Sequence, residues 1–167
     1  MHREEKNITQ EWLKGFAFSH FITVEPTASY PYRQNDLIQR MRQIEFLVNK
    51  KYLPSSFSKW KDEDRFWMVG WREGRDKDTH YHLLLHSPRK IYKTVPIWDR
   101  SVAWDIQLRW IQMPRVNHYN GQRMKNHPLH IVSTHTPAAA TAYSSKWMDR
   151  GSDAEKLENY FYITPPN

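Results

Sequence analysis

The chain has 167 residues and no cysteine, so it suits a single domain with its own core and excludes disulfides, thiolate metal sites and cysteine nucleophiles. A formal net charge of +7 favours a polyanionic partner such as nucleic acid. No apolar run approaches the roughly 18–20 residues of a membrane span, so we expect no membrane partner. The N-terminus lacks the apolar core of a secretory signal, so we expect a cytoplasmic location, or a nuclear one if a eukaryotic virus encodes the chain.

The chain begins with a strand and a helix. Residues 16–27, "FAFSHFITVEPT", are rich in aromatic and β-branched residues and predict a strand. Residues 34–53 carry apolar side chains at helical spacing and predict a helix, with Asn35 or Asp36 as its N-cap. The later predicted elements are strands over 65–73 and 79–86 around a polar turn at 74–78, a helix behind Pro96, a polar loop, a strand over 129–136 and an alanine-rich helix from Pro137.

This order predicts an α+β fold of the split βαβ, ferredoxin-like kind. Its antiparallel sheet would carry helices on one face and leave the other face free for a ligand. We expect residues 1–15 to be an N-terminal extension and residues 16–167 to form the domain. The segment after residue 151, which contains "YFYIT", is expected to be either a tail or an edge strand.

Three histidines mark the strand "THYHLLLH". Side chains alternate between the faces of a strand, so one face should carry His80, His82, Leu84 and His86 and the other Tyr81, Leu83 and Leu85. The second set predicts a core face. The first places His80 and His82 side by side over the open face, as half of a metal site.

Glu73 lies on the neighbouring strand, just before the turn. Residues that pair across a ladder share a face, so Glu73 joins the two imidazoles only if paired positions sum to an odd number, as 73 with 80. A tightly closed five-residue turn would turn Glu73 away, and a bulge would allow either outcome.

Two imidazoles and one carboxylate leave coordination positions open, which is typical of a catalytic metal site. Ligation by nitrogen and oxygen without sulfur suits Mn²⁺ or Mg²⁺, with Zn²⁺ less favoured, and such an ion polarises a phosphoryl oxygen. The alternative is that His80 and His82 are simply solvated or stacked on the sheet.

The predicted alanine-rich helix carries Tyr143 and Lys146 in "AYSSKWM", three residues apart and therefore on one helix face. Tyrosine titrates near pH 10, so as a nucleophile it needs a metal to orient a phosphate and a lysine to offset developing charge. The alternative is a tyrosine packed under the sheet and a solvated lysine.

Three stretches, in order, resemble the motifs of the HUH endonucleases, and of rolling-circle replication initiators in particular. They are "FSHFITVEPT", "HYHLLLH" preceded by Glu73, and "AYSSKWM". The resemblance covers roughly residues 16–150. It implies His80, His82 and Glu73 as metal ligands, with Tyr143 as nucleophile and Lys146 as its helper.

The family resemblance implies site-specific nicking and rejoining of single-stranded DNA at a replication origin through a 5′-phosphotyrosine. No P-loop occurs in the chain, so a host helicase or a fused one would be the partner. His86 is extra to the motif and is expected at the surface or on DNA. Further candidates for DNA contact are Arg72, Arg75, Lys77, Arg115, Arg123 and Lys125.

Other functions share parts of this pattern. Single-tyrosine transposases and relaxases would use nearly the same chemistry. A histidine-triad nucleotide hydrolase would need a histidine where Leu84 stands. A non-catalytic module that binds single-stranded DNA or RNA would use an open sheet, with Trp67 and Trp71 stacking on bases.

Overall fold

The fold is given by a computed structural model. It describes residues 11, 15–16, 18–25, 34–73, 80–88, 98–113, 115–116, 123–124, 129–134 and 160–163. Within these residues no helix has the length and apolar character that crossing a membrane requires.

Seven strands and two α-helices make up the described structure. The strands are β1 (Phe18–Val24), β2 (Trp67–Glu73), β3 (His80–His86), β4 (Arg115–Val116), β5 (Arg123–Met124), β6 (His130–Ser133) and β7 (Tyr160–Ile163). The helices are α1 (Gln34–Tyr52) and α2 (Trp98–Gln112), and two 3₁₀ turns, Ser55–Lys59 and Asp62–Asp64, lead from α1 into β2.

Five strands form one sheet in the order β6-β1-β3-β2-β7, and each neighbouring pair is antiparallel. Strands β4 and β5 form a separate two-stranded ribbon inside the stretch predicted as a polar loop. The predicted α+β class with an antiparallel sheet is therefore confirmed. The predicted alanine-rich helix lies outside the described residues.

Both helices pack on the same face of the sheet. Each helix buries a stripe of apolar residues that recur every three or four positions, about once per helical turn. The buried residues of these stripes are Leu37, Met41, Ile44, Val48, Val102, Ile106 and Trp110. They meet the sheet residues Ile22, Met68, Tyr81, Leu83 and Leu85, so the prediction that 81, 83 and 85 face the core is confirmed.

Helix α1 begins one residue earlier than its predicted cap. Because the helix starts at Gln34, Asn35 and Asp36 lie in its first turn and neither caps it. The Asp36 carboxylate still favours the positive end of the helix dipole, and Lys50 and Lys51 sit in the last turn, near the negative end. Pro54 disfavours helical geometry in the residue before it and ends the helix.

The second face of the sheet is not open along its length, contrary to the prediction. Trp67, Val69, Trp71 and Leu84 are each 2% exposed or less, and with Phe18 they form a second apolar cluster, against which Phe16 and Phe21 pack. The end next to the β2–β3 turn is partly accessible, because the side chains of Glu73 and His80 are 17% and 29% exposed. On the outer strands of the same face, Val132 of β6 and Tyr162 of β7 are also exposed.

Strand β7 comprises the first four residues of "YFYIT" and forms one edge of the five-stranded sheet. It pairs with β2, and the Phe161 ring covers Gly70, its partner in the ladder. A Cβ atom on Gly70 would lie 2.5 Å from two atoms of this ring. Glycine at this position leaves room for the Phe161 ring while β7 pairs with β2.

Candidate metal centre

The β2–β3 register places Glu73 directly opposite His80, and Trp71 opposite His82. Each pair sums to 153, an odd number, so of the two outcomes that the sequence left open the structure has the one in which Glu73 shares the face of the histidines. The hairpin connection is residues 74–79, one residue longer than the turn that would have reversed Glu73. The bulge in this part of the sheet lies in β1, between Phe18 and His20, and does not alter the hairpin.

The three side chains converge on one carboxylate oxygen. Glu73 Oε2 lies 2.8 Å from His82 Nε2 and 3.2 Å from His80 Nε2. The two imidazole rings stand edge to face, with centroids 4.8 Å apart. One ligand atom from each residue lies within 4.8 Å of the others, so the group can hold a metal ion.

These distances fit ligation of a single ion. Two donor atoms at right angles, each about 2.1 Å from an ion, lie about 3 Å apart, and the two measured separations bracket that value. The donors are two ring nitrogens and a carboxylate oxygen, a set that Mn²⁺, Mg²⁺ and Zn²⁺ all accept to different degrees. The partly exposed side of the group leaves room for further ligands, such as water or a phosphate oxygen.

His82 is the most enclosed member of the group, with 5% of its surface exposed. Phe21 and Trp71 pack against its ring at centroid distances of 5.0 and 5.7 Å. Burial, followed by the neighbouring His80, lowers the pKa of His82 from 6.5 to about 4. The Glu73 carboxylate acts in the opposite sense, but the aromatic enclosure favours the neutral ring. A neutral imidazole is the form that binds metal.

The Nδ1 atom of His82 also has a partner. It lies 3.1 Å from Thr23 Oγ1 on β1, and Thr23 is the ladder partner of His82 on that side. Thr23 was not among the predicted site residues. The sequence gives one indication of this role, which is that Thr23 lies in "FSHFITVEPT" two residues after Phe21 and therefore on the same face of the strand.

His86 is not at the surface, contrary to the expectation, and it cannot reach DNA in this conformation. It is 2% exposed, and its ring packs against Phe16, Phe18 and Trp67 at centroid distances of 5.5, 6.3 and 5.5 Å. Its Nε2 lies 3.3 Å from the Glu63 carbonyl oxygen. His86 shares the face of His80 and His82, but the aromatic cluster encloses it.

The structure describes only some of the remaining residues that were predicted to contact DNA or to act in catalysis. Arg72 is exposed, but it pairs with Tyr81 and so lies on the helix side of the sheet, opposite the metal group. Arg115 and Arg123 lie in the β4–β5 ribbon. Residues outside the described part of the chain are Tyr143, Lys146, Arg75, Lys77 and Lys125.

Comparison of the chain with protein-family models, with curated proteins and with solved structures gave no match.

Proposed function

We propose that the protein is a metal-dependent endonuclease of the HUH type, which nicks and rejoins single-stranded DNA at a replication origin. The observation that carries the proposal is the convergence of Glu73, His80 and His82 on one point at the accessible end of the sheet. The same three residues are the ligands that the motif resemblance implies.

The arrangement of elements supports the same proposal. Strands β1, β2, β3 and β6 with helices α1 and α2 follow the chain order β-α-β-β-α-β of the split βαβ fold. The two histidines lie on the central strand β3 of this sheet, on the face opposite the helices. An HUH-type domain would present its metal in this way, with the helices stabilising the sheet from behind.

Glu73, His80 and His82 would hold the ion, with Mn²⁺ or Mg²⁺ favoured because a phosphate oxygen must also bind. When bound, the ion would polarise the scissile phosphodiester as a Lewis acid. The net charge of +7 would attract the DNA backbone to the protein.

Tyr143 would be the nucleophile. Its phenolic oxygen would form a bond to the phosphorus, and the bond from phosphorus to the 3′-oxygen would break. The phenol would lose its proton and the departing 3′-oxygen would gain one, which leaves a 5′-phosphotyrosine and a 3′-hydroxyl. Attack by a 3′-hydroxyl reverses the step and rejoins the strand. Lys146, three residues from Tyr143, would offset the charge that develops during transfer.

A non-catalytic nucleic-acid-binding module is the alternative from another class. It requires aromatic rings exposed on the sheet for base stacking. Trp67 and Trp71, which would supply them, are 1% and 2% exposed. This burial favours the endonuclease over the stacking module.

The test is a covalent-capture assay with a labelled library of random-sequence DNA single strands and Mn²⁺. On a denaturing gel, the endonuclease would give a protein–DNA band that survives boiling. Sequencing the captured strands would then identify the site that is cut. Tyr143→Phe should remove the band, whereas Tyr162→Phe, which changes an exposed tyrosine of β7, should keep it.

Binding of the library without any covalent band would overturn the proposal and favour the passive module. A covalent band that persists in Tyr143→Phe would overturn the assignment of the nucleophile. Release of a nucleoside phosphate without a protein-linked strand would favour hydrolysis by another mechanism.

A further inference from the structure

The hydroxyl group of Thr23 lies behind the metal group. Thr23 is the ladder partner of His82 across β1 and β3, so the two side chains project from the same face. Oγ1 of the threonine is 3.1 Å from Nδ1 of the histidine. Both residues are buried, with 8% and 5% of their surfaces exposed, so water does not replace this contact easily.

The His82 ring is fixed on four sides. Its Nε2 edge meets Glu73 Oε2 at 2.8 Å, and its Nδ1 edge meets Thr23. Phe21 and Trp71 pack against the ring. The imidazole therefore cannot turn to offer a different nitrogen, and the identity of its protonated nitrogen must follow from what each edge contacts.

The contacts favour one tautomer in the protein without metal. A carboxylate only accepts hydrogen bonds, so Nε2 carries the proton and donates to Glu73. Nδ1 then carries a lone pair and accepts a hydrogen bond from the Thr23 hydroxyl. The hydroxyl is the donor in this state.

Metal ligation through Nε2 needs the other tautomer. A metal takes the lone pair of Nε2, so the proton of the neutral ring must be on Nδ1. Nδ1 then donates, and its partner must accept. A hydroxyl group does both, because it carries one proton and two lone pairs and rotates about its C–O bond.

We propose that Thr23 is a positioning residue for the metal centre, whose hydroxyl turns from donor to acceptor when His82 takes up an ion. One proton leaves Nε2 for water and one is taken up at Nδ1, so the ring stays neutral. This inference rests on the metal centre of the proposed function, but it does not depend on the nicking reaction.

The test compares three variants with the wild type. Thr23→Val keeps the shape and removes the hydroxyl, Thr23→Ser keeps the hydroxyl, and Thr134→Val is the matched control. Thr134 donates its hydroxyl to the Phe18 carbonyl in the same sheet and touches no ligand of the metal group. Thermal unfolding of each variant checks that the fold is retained.

Two measurements are made on each protein. Titration with Mn²⁺ gives the Kd, and we expect Thr23→Val to raise it about tenfold or more, as is usual when the outer partner of a ligating histidine is lost. Thr23→Ser and Thr134→Val should stay close to the wild type. Long-range ¹H–¹⁵N NMR of the imidazoles, with Zn²⁺ as the diamagnetic ion, should place the His82 proton on Nε2 without metal and on Nδ1 with it.

The outcomes separate this inference from the proposed function. Unchanged Mn²⁺ affinity in Thr23→Val, or a His82 proton that stays on one nitrogen in both states, would overturn the role of Thr23 and leave the metal centre intact. A wild-type protein that binds neither ion would overturn the centre and this inference together. Covalent capture of DNA is not part of either readout.

Discussion

Glu73 and His80 are direct partners across the β2–β3 ladder, and their side chains meet with Oε2 3.2 Å from Nε2. The same oxygen reaches His82 because that residue lies two positions further along β3, on the same face. The metal group is therefore built by strand register, since Glu73 is seven residues away from His80 in the sequence. Its location at the end of the hairpin keeps one side accessible, while the middle of the face is buried by the aromatic cluster around Trp67 and Trp71.

We expect the double substitution His80→Ala with His82→Ala to abolish Mn²⁺ binding and DNA cleavage. Binding of single-stranded DNA should largely persist, because it depends on lysine and arginine contacts with phosphates. Calorimetry with Mn²⁺, the covalent-capture gel and fluorescence anisotropy measure the three properties separately. His130→Ala, which changes an exposed histidine of β6, is the control and should leave all three unchanged.

Normal cleavage by the double variant would show that these histidines are not the ligands. Loss of DNA binding together with cleavage would instead indicate that the substitutions disturb the sheet, and the thermal unfolding curve of the variant would then be shifted from that of the wild type.

Alternation along the strands could be predicted from the sequence, and it gave the correct faces for β3. A strand has an exact period of two, so aliphatic residues at 81, 83 and 85 determine where 80 and 82 point. Helices α1 and α2 were predicted for a similar reason, because their apolar residues recur at helical spacing.

The register between β2 and β3, and the burial of side chains by residues distant in the sequence, could not be predicted in the same way. Whether Glu73 pairs with His80 depends on the length and closure of the turn, which the residue types at 74–78 leave undetermined. The burial of His86 depends on Phe16 and Phe18, some 70 residues earlier in the chain, which pack over it. Thr23 was missed because its role appears only when β1 is placed beside β3.

Glu45 should make stability depend on pH. It is fully buried on α1, and burial raises the pKa of its carboxyl from 4.5 to about 9. The folded state thus keeps a proton that the unfolded chain releases above pH 4.5, so the free energy of unfolding falls as pH rises from about 4.5 to about 9, by up to about 1.4 kcal/mol per pH unit.

Glu45→Gln should remove this dependence and raise stability at pH 8, because glutamine resembles the protonated acid and can keep the contact with the Asn49 amide. Urea unfolding at pH 5 and pH 8 measures the difference. Glu63→Gln, at an exposed position, is the matched control. Equal pH profiles for the wild type and Glu45→Gln would show that Glu45 is ionised in the folded protein.

Gly70→Ala should destabilise the sheet by about 1–3 kcal/mol, the usual cost of overpacking. The new methyl group would lie 2.5 Å from the Phe161 ring and 3.1 Å from the His82 carbonyl oxygen. Phe161→Leu should relieve part of this clash, so a double-mutant cycle measured by urea unfolding should give a favourable coupling energy. Strictly additive effects would mean that Phe161 does not cover Gly70 in solution.

Substitution of Trp71 tests whether its ring is part of the core or stacks on bases. It is 2% exposed and packs beside His82, so Trp71→Ala should lower the free energy of unfolding by about 3–5 kcal/mol and weaken Mn²⁺ binding. Trp104→Ala, which changes a tryptophan of α2 that is 63% exposed, should alter stability little. A Trp71→Ala protein with wild-type stability and reduced affinity for single-stranded DNA would support the stacking module instead, because a ring that binds bases must leave the core to reach them.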